Sequence, residues 1–116
     1  MTDARAQVEL LTQQLAAAEG RLRVDALLGD LLRLSDAVDA KNYGEAAALS
    51  SAFFDRVRRE VALPHTAEVS EALNGILSSR DPVTTAIAAT DPSLSESLKA
   101  HERTLRAALG FPLSGA

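Results

Sequence analysis

Residues 3 to about 41 contain no proline, and apolar side chains recur through them at helical spacing. A single helix of that length spans roughly 57 Å at about 1.5 Å per residue, which exceeds the width expected of a compact domain of 116 residues. One end of it must leave whatever bundle the rest of the chain builds. The apolar stripe also changes phase. Ala4, Val8, Leu11, Leu15, Ala18 and Leu22 step alternately by four and three, as a coiled-coil seam does. Val24, Leu27, Leu31, Leu34 and Val38 keep the same rhythm from a different register. A rotation of the stripe near residues 20 to 24 implies two packing partners for one helix. Asp3 suits the N-cap, Glu19 and Arg23 have the spacing of an i,i+4 ion pair, and Gly20 permits a bend.

A turn is expected at Lys41 and Asn42, where Asn42 and Glu45 have capping-box spacing. The second helix runs to about Ala62, with Tyr43, Ala46, Ala47, Ser50, Phe53, Phe54, Val57 and Val61 inward, and stops before Pro64. So short a turn makes an antiparallel hairpin. Counting back from it, the second helix covers the first only as far as about residue 22, where the stripe changes phase. A third helix is expected over about 65–79, with Thr66 or Pro64 at its start, a short fourth over 82–89 and a fifth over 92–109. Asp81-Pro82 and Asp91-Pro92 serve as start signals, and Gly110 as the C-terminal stop, with Phe111 folding back on the last turn. The expected architecture is all-α: an antiparallel bundle of four main helices and one short helix, led by a long coiled-coil-like first helix. Residues 1–21 form a projecting arm, 22–110 the bundle, and 111–116 a loose tail.

Composition agrees with helix. Alanine (22) and leucine (18) dominate, whereas valine and isoleucine together number nine. The absence of cysteine excludes disulfide scaffolds and thiolate metal sites. A net charge of −4 disfavours nucleic-acid binding, and the apolar runs are too short to span a bilayer. Without a signal-peptide pattern the expected compartment is the cytoplasm; a periplasmic or membrane-tethered location is the alternative if an N-terminal anchor precedes the chain.

The segment Asn42-Tyr43-Gly44-Glu45-Ala46 resembles the inter-helix turn and second-helix start of tetratricopeptide-type hairpins. Leu34 and Ala37 stand where that family has a large aromatic and a glycine, and no period of about 34 residues follows. The resemblance implies a shared tight αα-turn and carries over no peptide-binding residue.

Chemistry has no local signature. His65 and Glu68 share a helix face, but the inward carboxylates and Glu-x-x-His pairs of di-iron bundles are missing. His65 is expected in solvent before the third helix, and His101 on a seam, partly buried. No nucleophile elbow, phosphate-cradling glycine loop or His-Glu-x-x-His occurs, so neither catalysis nor a cofactor is expected. Arg56, Arg58 and Arg59 are candidates for binding an acidic partner, though the end of a helix and the nearness of Asp25 and Asp30 explain them structurally. Phe53 and Phe54 are expected in the core; either one, if exposed, becomes a partner hot spot.

The expected function is therefore a non-enzymatic interaction or scaffold module that self-associates, as a homodimer, through the arm seam of Val8, Leu11, Leu15, Ala18 and Leu22. The alternatives are cover of the arm by the chain's own later helices, a carrier bundle holding a small apolar ligand near His101, or an adaptor tethered to a membrane.

Overall fold

The computed structural model describes residues 2–110, with side chains from Asp3 onward. It contains five helices and, among the described residues, no strand: α1 (Thr2–Asp39), α2 (Tyr43–Val61), α3 (Ala67–Leu77), α4 (Arg80–Ala88) and α5 (Leu94–Leu109). The all-α bundle expected from the apolar periodicity is present. α1 packs on α2 and α5, α2 also on α3 and α4, and α3 on α5.

The second stripe of α1 builds the centre of the core. Val24, Leu27, Leu31 and Leu34 are wholly buried, against Phe53, Phe54 and Val57 of α2, Leu73 and Ile76 of α3, Val83 and Ile87 of α4, and Leu94, Leu98 and Leu105 of α5. The two phenylalanine rings meet edge to face with centroids 5.2 Å apart, so adjacent residues fill two directions of one core.

α1 ends in a Schellman motif: Asn42 N–H reaches Ala37 C=O at 2.8 Å and Lys41 N–H reaches Val38 C=O at 2.9 Å, with Lys41 left-handed at φ 60°. α4 closes in the same way through Asp91 to Ala86 and Thr90 to Ile87, with Thr90 at φ 50°. Asn42 does cap α2, its Oδ1 accepting from Glu45 N–H at 3.4 Å. Glu45 answers by accepting from the Asn42 side-chain amide at 2.8 Å, where a capping box would use the backbone N–H.

Two starts differ from expectation, and α3 takes Thr66, one of its two expected starts. α3 begins at Ala67 because Thr66, extended at ψ 160°, accepts from Val69 N–H and leaves His65 outside the helix. α4 begins at Arg80, a turn of only two residues after α3, so Asp81 and Pro82 lie inside its first turn, where a missing N–H costs nothing. α5 begins at Leu94 because Asp91 accepts from both the N–H and the hydroxyl of Ser93, holding Pro92 in a turn before the helix. Gly110 caps α5 at φ 80°, as its position suggested; the fold-back of Phe111 and the tail 111–116 lie outside the described residues.

Candidate functional site

Every residue from Asp3 to Glu19 is exposed, and contact with the bundle begins at Gly20. Four of the arm's large apolar side chains lie on the first stripe: Val8, Leu11, Leu15 and Leu22 are each 60–67% exposed, with Ala18 open between them. Burial of such side chains is worth about 0.5–3 kcal/mol each, and a lone helix of this length is marginal in water. At about 100° per residue, this stripe centres about 160° around α1 from the stripe of Val24, Leu27, Leu31, Leu34 and Val38. The exposed seam therefore faces away from the bundle, and the later helices do not cover it.

The opposite side of the arm meets the bundle at an elbow. Arg23 extends its Nε to both carboxylate oxygens of Glu60, at 3.0 and 3.1 Å, and His65 Nε2 stands 3.1 Å from Glu60 Oε1. Glu60 is almost fully buried, so the guanidinium and the imidazole hold its charge away from water. The Arg21 guanidinium donates to the Leu109 carbonyl at the end of α5. His65, expected in solvent, is only 5% exposed at its side chain, because Thr66 capping turns it inward against Gly20. Arg23 reaches across the hairpin to Glu60 instead of back to Glu19. Beneath the elbow a cleft of about 690 Å³ opens between Ala16 and Ala17 on the arm and Pro64, His65, Val69 and Leu109 on the bundle.

The other candidate residues lie in the bundle, away from the arm. Phe53 and Phe54 are each 1% exposed, so neither is available to a partner. Arg56 pairs with Asp30, which also draws Arg33, while Arg58 and Arg59 lie exposed in the last turn of α2. His101 is half-buried on α5, its pKa lowered by that burial, and it does not line the elbow cleft. Among the described residues no three His, Asp or Glu side chains converge as metal ligands. No helix of the described residues is long and apolar enough to cross a membrane.

The Arg23–Glu60–His65 cluster was not anticipated, although the hairpin count that sets residue 22 level with the end of α2 places Arg23 beside Glu60. No protein-family model, curated protein or solved structure matches the chain.

Proposed function

We propose that this protein is a non-enzymatic helical interaction module that self-associates through its projecting arm. The observation that carries this reading is the exposed, heptad-spaced seam of Val8, Leu11, Leu15, Ala18 and Leu22, displayed on the outer face of a helix whose other end is locked into the core. A helix anchored at one end has already met most of the ordering cost of association, which favours binding along the free end. A second copy supplies an identical seam at no further genetic cost, and most soluble oligomers are built this way.

The test is solution mass measured over a range of concentration for the full chain and for a variant carrying Leu11→Glu and Leu15→Glu. Both positions are exposed, so the variant keeps the bundle. The expected result is a dimer for the parent and a monomer with native helicity for the variant; equal masses for the two overturn the reading.

The elbow cleft favours a second reading, as a carrier of a small, mainly apolar ligand. On that reading Ala17→Trp, at an exposed position on the cleft wall, abolishes binding of an apolar dye that the parent takes up.

A further inference from the structure

We infer that two arms pair antiparallel, in the single register that sets Leu11 of one copy opposite Leu15 of the other, so that the two bundles stand at opposite ends of the joint. The inference rests on self-association through the arm and specifies its geometry.

Take Val8, Leu15 and Leu22 as the a positions of a heptad, and Ala4, Leu11 and Ala18 as the d positions. In an antiparallel pair each a faces a d of the partner. With Leu11 opposite Leu15, every seam residue finds a counterpart: Ala4 meets Leu22, Val8 meets Ala18, and the two leucine layers lie in the middle. Each outer layer joins a small side chain to a larger one, which evens the spacing of the helices. Sliding the register back by one heptad strands Ala18 and Leu22. Sliding it forward by one brings Val8 against Asp25.

The flanking charges select the same arrangement. In antiparallel pairs the e positions face each other, and here they are Arg5, Thr12 and Glu19. Arg5 of each copy then lies beside Glu19 of the other, giving two opposite-charge contacts and no like-charge contact along that flank. Both residues are exposed, and neither takes part in an ion pair among the described residues. Thr12 falls on the two-fold axis. Its hydroxyl already donates to Val8 C=O at 2.8 Å, so it meets its symmetry mate without an unsatisfied donor.

A parallel pair lacks these features. It stacks alanine on alanine at positions 4 and 18 and sets Arg5 and Glu19 apart. Beyond residue 22 it would place Asp25 against Asp25 and Asp36 against Asp36 at two of the next four core layers. In the antiparallel register Asp36 has no counterpart, and Asp25 lies beyond the last seam layer, Ala4 with Leu22. Because each bundle lies on the far side of its own helix, neither obstructs the other.

Two experiments on the full chain test the pairing. The protein has no cysteine, so Ala4→Cys and Leu22→Cys are unique sites on exposed positions. Antiparallel arms cross-link an A4C chain to an L22C chain and leave A4C alone as monomer on denaturing gels, because the two residues 4 are then about 27 Å apart. Charge exchange is the second. R5E and E19R each set like charges together and weaken the dimer about tenfold, the R5E/E19R double variant recovers the parent affinity, and an equal mixture of the single variants gives predominantly the mixed dimer. A dimer in which A4C cross-links to itself and the charge variants change nothing overturns the antiparallel register while leaving self-association standing. A chain that is monomeric at every concentration overturns both.

Discussion

Thr90 is a β-branched residue held in the left-handed region at φ 50°, where its side chain crowds the backbone, because the Schellman closure of α4 requires a positive φ there. Thr90→Gly keeps the closure and removes the strain, so the chain should gain about 1 kcal/mol in urea unfolding; a loss of stability would show that the Thr90 side chain contributes more than its backbone costs. Titration at His101 has a definite sign. Burial disfavours the imidazolium and lowers the folded-state pKa below 6.5, so the unfolded chain takes up the proton more readily. The associated stability is fully present above about pH 6.5 and is lost as pH falls toward the lowered value. Subtracting the urea midpoints of His101→Leu from those of the parent isolates this slope between pH 7.5 and 5.5, since the other titrating groups are common to both proteins. A constant difference across that range would rule it out.

Among the elements, the helices and most of their inward faces were legible in the sequence because leucine and valine at steps of three and four leave little choice of face; Ala47, expected inward, is exposed, since an alanine next to Ala46 carries too little apolar weight to fix a face. The joints were less so. Asp81-Pro82 and Asp91-Pro92 look alike, yet Ser79 precedes a helix that begins before Pro82, while the Asp91–Ser93 turn delays the next helix until Leu94. At Asp91 the carboxylate takes the Ser93 N–H, whereas no side chain caps α4 and the Ser79 hydroxyl donates to the Ile76 carbonyl, a difference that residue spacing alone does not decide. His65 shows the same limit: its burial follows from the extended backbone of its neighbour Thr66 together with Gly20, which is far away in sequence. The Glu60 cluster joins α1, α2 and the turn after α2 through one carboxylate. Glu60→Ala should cost about 1–3 kcal/mol, read from the urea midpoint, because it strands the buried His65 imidazole beside a half-exposed Arg23. A cost below about 0.3 kcal/mol would mean that the elbow is held by apolar packing instead.

The whole molecule is 62 Å long but only 31 by 19 Å across, and its radius of gyration of 16.7 Å exceeds the roughly 13 Å expected of a compact chain of this size. That excess is the arm. Its projection was legible from arithmetic, since the residues of α2 run out level with the phase change in α1. The direction of its seam followed from the same periodicity once the core stripe was known. What the arithmetic did not supply was the elbow, where Arg21 and Arg23 fasten α1 at the point at which it leaves the core.

One continuous rod thus passes from a dry interior into water without a break in its backbone hydrogen bonding, and its two halves must answer differently to deuterated solvent. Amide protons of residues 24–38 exchange only when the core opens, whereas those of residues 6–18 are guarded by end fraying of a solitary helix, or by whatever lies along it. Concentrating the protein should slow exchange in the front half alone, so the leading helix carries its own internal gauge of how much of it is occupied.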